Sequence, residues 1–184
     1  MKIEDGATGL MVKEYQNGWR VSQVDKPLYD LITKLKVTLE AEPDSIIYGE
    51  LGEGRPNLEM KDTALELYLE FLKKFDGARC RVIDLWSFET LTSHQYRIAG
   101  FMGEPDEWLE VGQILYEPLV INKNSGHIYY FTQNHQEVWT KGDLGDFNHF
   151  LCHYVFGLKY KEIVPDVYRD DWYSLLEKIN WASK

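Results

Sequence analysis

The stretch that decides the fold is EPLVINKNSGHIYYFTQNHQEVWTK, residues 117–141. Residues 119–121, 128–131 and 138–139 are β-prone, whereas 122–126 contains the Asn, Ser and Gly residues that favour turns. Alternation of this kind predicts an antiparallel meander in the middle of a sheet. The large side chains that can anchor a core against helices are Tyr129, Tyr130, Phe131 and Trp139.

The strand at 128–131 is expected to place different aromatic side chains on its two faces. Successive side chains of a strand point to opposite sides of the sheet. Tyr129 and Phe131 are therefore expected on one face, and Ile128 and Tyr130 on the other. One pair should lie in the core, and the other should pack under a helix or face a partner.

Apolar residues at helical spacing predict helices on both sides of the meander. The segment 63–75 opens with Thr63 and Glu66, which match a capping box. Asp143 is expected to cap a helix that covers residues 143–156. Two more helices are predicted at 27–40 and 168–181.

Other β-prone runs predict further strands. They lie at 82–88, which is expected to be a central strand, at 96–101 and at 46–48. The Asn17-Gly18 pair predicts a hairpin within residues 9–23. Together these patterns predict an α+β fold in which helices pack against a twisted, mainly antiparallel sheet.

Length and composition predict one ordered domain. The chain has 184 residues, and a chain of this length buries roughly 70% of the surface of its unfolded form. Hydrophobic residues make up 44% and charged residues 27%, as in globular proteins and unlike disordered chains. We therefore expect a single domain spanning residues 1–184.

The charge balance bears on the choice of partner. Thirty acidic and twenty basic side chains give a formal charge of −10, which repels phosphate backbones and anionic lipid headgroups. Binding to nucleic acid or to a membrane is therefore disfavoured. Acidic residues gather without Lys or Arg at 37–54 and at 98–122, either as solvated surface or as a partner-binding face. In the second stretch we expect exposed carboxylates that steer a basic protein partner, namely Glu104, Asp106, Glu107 and Glu110.

Cysteine usage and the N-terminal sequence predict a cytoplasmic protein. Cys80 and Cys152 are too few and too far apart for a disulfide framework, and a free buried cysteine behaves as a small hydrophobe. Residues 1–10 lack the basic and apolar regions of a signal peptide, and no run of about 18 apolar residues occurs. No motif predicts a cofactor.

Histidines supply the rival, enzymatic interpretation. His149 and His153 stand four residues apart on a predicted helix, as metal ligands can, although no zinc-protease glutamate lies between them. His127 and His135 flank the predicted hairpin, and Ser125 is two residues from His127, but a nucleophile and a base must meet in space with an orienting acid. A small hydrolase or a metal-dependent enzyme is thus the alternative to ordinary surface histidines.

The order of motifs between residues 108 and 156 carries a resemblance to a known family. The order begins with an apolar strand that ends in Asn at 120–122 and a Ser-Gly turn at 124–126. A Tyr-containing strand at 127–130 and a helix with Phe and Leu at 143–151 follow. This order resembles the C-terminal half of the SUKH superfamily, as a divergent branch. Residues 108–112, which precede this run, contain an aromatic residue followed by apolar residues and Gly. This segment is similar to the one that precedes the run in some branches of the superfamily.

The resemblance implies an α+β fold, no enzymatic activity and, as in many bacterial members, service as an immunity protein. Such a protein neutralises a toxin, often a nuclease, by binding it directly. The acidic charge is compatible with this role because clustered carboxylates steer and block a basic surface. The chain is therefore interpreted as a protein-binding domain whose partner is a basic toxin domain.

Overall fold

The computed structural model describes residues 26–41, 49–59, 62–100, 105–133 and 139–182. Within these ranges seven strands form one antiparallel sheet whose spatial order follows the chain. The strands are β1 Gly49–Leu51, β2 Ala78–Cys80, β3 Ile83–Leu85, β4 Trp108–Ile114, β5 Glu117–Asn122, β6 His127–Gln133 and β7 Trp139–Asp146.

Helices precede, interrupt and follow this meander. The described α-helices are α1 Lys26–Ala41, α2 Glu66–Phe75, α3 Phe88–His94, α4 Phe147–Phe150, α5 Tyr160–Ile163 and α6 Asp171–Ala182. A 3-10 helix, Gln95–Gly100, continues α3, and a π-helical turn, Leu151–Val155, continues α4. Shorter 3-10 turns occupy Pro105–Glu107 and Val167–Arg169. The predicted α+β class with an antiparallel sheet and packed helices is confirmed.

The main core lies between one face of the sheet and the helices. Apolar side chains of β3 to β6 meet those of α1, α2 and α4 there, because each helix turns one apolar stripe toward the sheet. Tyr29 of α1 stacks on Phe75 of α2, with ring centroids 6.0 Å apart. Phe147 of α4 sets its ring edge against Tyr68 and Phe71, with centroids 5.2 and 5.4 Å away.

The opposite face of the sheet is covered by the 3-10 helix 95–100. A smaller apolar cluster forms there from Ile98, Trp108, Val120 and Phe131, with Tyr129 packed against it. Ile128 is buried in the main core and Tyr130 packs on that core. The predicted division of the β6 side chains between two faces is therefore confirmed.

Two predicted helices begin later than expected. Helix α2 starts at Glu66, and Leu65 at its N-cap makes no side-chain cap, so the capping box at Thr63 is wrong. Asp62 instead accepts from the Ala64 N–H at 3.0 Å and forms a turn before the helix. Helix α4 starts at Phe147 because β7 continues to Asp146, whose carboxylate caps it by accepting from the His149 N–H at 2.8 Å.

Two predicted strands also need correction. The strand at 82–88 is reduced to β3, because the Ser87 hydroxyl accepts from the Thr90 N–H and opens α3. The strand at 96–101 is wrong, since residues 95–100 form the 3-10 helix that covers the second face. The helix at 27–40 is confirmed by α1. The helix at 168–181 is confirmed with a later start, because Asp170 caps α6 through the Tyr173 N–H.

Some predictions fall outside the described residues. These are the hairpin at 9–23, the β-prone run at 46–48, Glu104 and His135. The expectation of a single domain over residues 1–184 stays a prediction.

Candidate protein-binding surface

Two hairpin tips meet at one end of the sheet. Arg81-Val82 connects β2 to β3, and Leu115-Tyr116 connects β4 to β5, each as a two-residue turn. Because β3 pairs with β4, the tips lie side by side, and the Leu115 N–H donates to the Val82 carbonyl at 2.6 Å. The end of the sheet is thus one continuous, hydrogen-bonded edge.

Both tips hold a non-glycine residue in the left-handed region. The φ angle is 59° at Arg81 and 58° at Leu115. Two-residue hairpins favour Gly, Asn or Asp at positive φ, and a side chain such as Leu costs about 1 kcal/mol or more there. Strain of this kind is concentrated at functional sites, so the two tips are candidates for one.

Large side chains near the tips are open to solvent. Tyr116 is 86% exposed, Tyr96 75% and Leu115 39%. Arg97, the chain neighbour of Tyr96, donates from Nη1 to the Tyr116 carbonyl at 3.1 Å and so ties the 3-10 helix to the β4–β5 tip. We define the tip surface as Arg79, Arg81, Tyr96, Leu115 and Tyr116. Tyrosine and arginine are the residues enriched at energetic centres of protein interfaces.

A depression of about 410 Å³ lies between the two tips. It is lined by the side chains of Arg79, Arg81, Asp84 and Gln113. Arg79 Nε donates to Asp84 at 3.1 Å, and Gln113 Nε2 donates to the other oxygen of that carboxylate at 2.8 Å. Arg81 is exposed and forms no ion pair with any residue in the described part of the chain. The depression therefore combines two guanidinium groups with one carboxylate.

A buried ion pair supports this surface from below. The Glu110 side chain is fully buried, and Arg97 Nε donates to its two oxygens at 2.9 and 3.1 Å. Arg97 Nη2 donates to the same carboxylate, and Trp86 Nε1 adds a bond of 3.2 Å. A buried charge needs both a counter-charge and hydrogen bonds, and Glu110 has them.

The Gln95 side chain also stabilises β4, because its amide pairs with the strand's backbone as a neighbouring strand would. Its amide donates to the Glu110 carbonyl at 2.9 Å and accepts from the Glu110 N–H at 3.0 Å. These bonds satisfy the backbone of β4 beside the bulge between Glu110 and Gly112. Trp86 is held on its other side by His94, with ring centroids 3.8 Å apart and nearly parallel planes.

The acidic residues expected to bind a partner are not one exposed face. Glu104 lies outside the described residues, Asp106 is exposed and Glu107 is half-buried. The expectation that Glu110 is exposed is wrong, because strand alternation places its side chain under the 3-10 helix 95–100, where Arg97 neutralises it. The position of Glu110 within the apolar run 108–111 was a sequence signal for its burial. Nothing in the sequence indicated that it pairs with Arg97.

Among the described residues, the structure brings His127 to an orienting acid but not to a nucleophile. His127 Nδ1 lies 3.1 Å from Asp143, whose carboxylate also accepts from the Gly145 N–H at 2.8 Å. Desolvation opposes ionisation of Asp143, but the hydrogen bonds from Gly145 and His127 outweigh it and lower its pKa. Ser125 Oγ accepts from the His127 backbone N–H at 3.3 Å. A hydrolase would need the imidazole to activate a hydroxyl, and Ser125 is used for backbone support instead.

The second histidine pair lies on the π-helical turn. The His149 and His153 ring centroids are 4.4 Å apart, and His149 Nδ1 lies 2.9 Å from the Leu144 carbonyl. Desolvation lowers the pKa of His153, and the neighbouring His149 and Lys159 lower it further. Over the described ranges, no group of three or more His, Cys, Asp or Glu side chains is placed to hold a metal ion.

The histidine pair gives a direct test of the metal-dependent alternative. Purified protein should contain no stoichiometric zinc, and a strong chelator should leave its melting curve unchanged, because two side chains do not complete a tetrahedral zinc site. Metal analysis and thermal unfolding with and without chelator measure this. One equivalent of zinc together with a chelator-dependent Tm would contradict the prediction.

Cys80 and Cys152 are not joined in a disulfide, and Cys80 is buried while Cys152 is half-buried. Burial, with a smaller contribution from Asp84, raises the pKa of Cys80 far above its ordinary value, so this thiol packs as a small apolar side chain. Within the residues that the structure describes, none of the helices has both the length and the apolar character needed to cross a membrane.

Comparisons with protein-family models, with curated proteins and with solved structures find no match to this chain. The resemblance to the SUKH superfamily therefore stays a prediction that rests on the motifs in residues 108–156.

Proposed function

We propose that this protein is a non-enzymatic, protein-binding domain that engages its partner through the tip surface. The observation that carries the proposal is the joint exposure of Tyr96, Leu115 and Tyr116 around two tips in the left-handed region. Aromatic side chains with few rotatable bonds lose little conformational entropy on binding and bury much area.

Support from beneath makes the surface suited to binding without rearrangement. The Glu110–Arg97 pair and the Gln95 side chain fix the β4 strand and the 3-10 helix before any partner arrives. A preorganised surface spends less free energy on ordering, so more of its contact energy appears as affinity. This is the property expected of an inhibitor that must hold its target tightly.

The partner class we propose is a toxin domain, which the SUKH resemblance implies, neutralised by direct binding in the cytoplasm. The formal charge of −10 would attract a basic toxin over a distance of about a Debye length, near 8 Å at physiological salt. In this proposal Asp106 and the other exposed acids contribute to the rate of encounter, and the tip surface contributes the contacts.

The test compares two tyrosine variants in a binding assay. The product of the reading frame beside this protein's gene is purified, and its Kd for the parent protein is measured by calorimetry. Tyr96→Ala combined with Tyr116→Ala should weaken binding about 1,000-fold, because an aromatic residue at the centre of an interface contributes about 2 kcal/mol when truncated and each 1.4 kcal/mol is tenfold in Kd.

The matched control is Tyr168→Ala, since Tyr168 is 96% exposed and lies outside the tip surface. It should bind like the parent, and both variants should keep the parental melting temperature because exposed side chains contribute little to folding. Equal Kd values for the double variant and the parent would place the interface elsewhere. An adjacent gene product that does not bind the parent at all would contradict the toxin assignment.

A further inference from the structure

We infer that the depression between the two hairpin tips receives a carboxylate group of the protein partner, held by Arg79 and Arg81. This inference rests on the proposed function and specifies the chemistry that the tip surface recognises. The occupant is an Asp or Glu side chain presented by the partner, not a nucleic-acid phosphate.

The geometry supplies two guanidinium groups that are not equally occupied. Arg79 Nε donates to Asp84, while the remaining N–H groups of Arg79 and the whole guanidinium of Arg81 form no hydrogen bond with a side chain in the described part of the chain. A guanidinium matches a carboxylate with two parallel N–H donors, which gives both direction and energy. Arg81 is thus the donor best placed for an incoming carboxylate.

Asp84 is held in place and does not compete freely for Arg81. Its two oxygens accept from Arg79 and from Gln113, and Gln113 in turn lies within 3.4 Å of Arg97 Nη1. The chain of bonds from Arg97 through Gln113 and Asp84 to Arg79 orients the Arg79 side chain along the wall of the depression. Orientation of this kind lowers the entropy that a charged side chain loses when it binds.

The local charge favours a singly charged group over a phosphate dianion. Two arginines and one aspartate leave a local formal charge of about +1, which balances a single carboxylate and leaves a doubly charged phosphate under-neutralised. The protein as a whole carries −10, which repels polyanions such as nucleic acid. A single acid on a partner that is otherwise neutral or basic meets both conditions.

The test uses two blocked peptides as probes, acetyl-Gly-Glu-Tyr-Glu-Gly-amide and its Gln counterpart, on the full chain at low salt. Nuclear magnetic resonance follows the side-chain Nε–H signals of Arg79 and Arg81. The Glu peptide should shift the Arg81 signal and bind about tenfold more tightly than the Gln peptide, with the difference shrinking at high salt. Inorganic phosphate should shift the same signal less than the Glu peptide.

Variants separate this inference from the proposed function. Arg81→Gln should abolish the preference for the Glu peptide, Arg81→Lys should keep part of it, and the exposed Arg169→Gln should leave it unchanged. Equal binding of the two peptides, or no shift at Arg79 and Arg81, overturns the carboxylate inference. The tyrosine variants test the tip surface independently. If they weaken partner binding while Arg81→Gln does not, only the carboxylate inference is rejected and the proposed function stands.

Discussion

Replacing Arg97 with methionine should lower the free energy of unfolding by about 3 to 5 kcal/mol, because it leaves the Glu110 charge without its partner in a site that excludes water. Methionine fills much of the volume of the arginine stem, so the loss reports on charge more than on packing. Denaturant unfolding followed by circular dichroism measures the change.

The control for this prediction is an arginine that, unlike Arg97, is exposed. Arg169→Met removes the same charge from the surface and should change stability by no more than about 0.5 kcal/mol. Combining Arg97→Met with Glu110→Leu should recover much of the loss, since replacement of a whole buried pair by apolar residues is often neutral. A single Arg97→Met variant as stable as the parent would show that the pair does not support the tip surface.

The second large effect concerns the helix that packs on the main core. Leu69→Ala should cost about 2 to 5 kcal/mol, because Leu69 is only 5% exposed and its truncation leaves a cavity between α2 and the sheet. The same unfolding measurement applies. Glu70→Ala, one residue later on the same helix, should stay within about 0.5 kcal/mol.

Glu70 is a suitable control because the ion pair that it forms is weak. It pairs with Lys73 at 2.7 Å, and both side chains are about one-third exposed. Pairs of this type three residues apart on a helix contribute only about 0.2 to 0.5 kcal/mol. Similar losses from Leu69→Ala and Glu70→Ala would mean that the buried face of α2 has been assigned wrongly.

The sheet was predictable where the signal is local. The meander 117–141 carries alternating β-prone runs and a turn at 122–126, and β5, β6 and β7 follow that pattern. Helix α1 was predictable for the same reason, because its apolar residues repeat every three or four positions along sixteen residues. In both cases the pattern of the chain itself specifies which side is buried.

The 3-10 helix at 95–100 shows where local propensity fails. Tyr96 and Ile98 favour a strand by residue type. In the fold, however, β4 already has β3 and β5 as neighbours, and this segment is needed as a cover for the second face. Tertiary context decides the conformation, and Gln95 and Arg97 turn toward Glu110 as a result.

The tip surface was beyond sequence reasoning for a different reason. Turns are recognised by Gly, Asn, Asp or Pro, and neither Arg81-Val82 nor Leu115-Tyr116 contains one. The fold tolerates positive φ at Arg81 and Leu115 because strand pairing on both sides determines the turn. The absence of the expected turn residues becomes informative only once the hairpins are known.

Photo-crosslinking from single positions in living cells tests the central claim most directly. A benzophenone amino acid is placed at position 96, 116 or 168 of the full chain, and adducts are identified by mass spectrometry. The tip-surface account predicts one and the same partner crosslinked from positions 96 and 116, and not from 168. A partner crosslinked from position 168 alone, or equally from all three positions, would contradict binding through the tip surface.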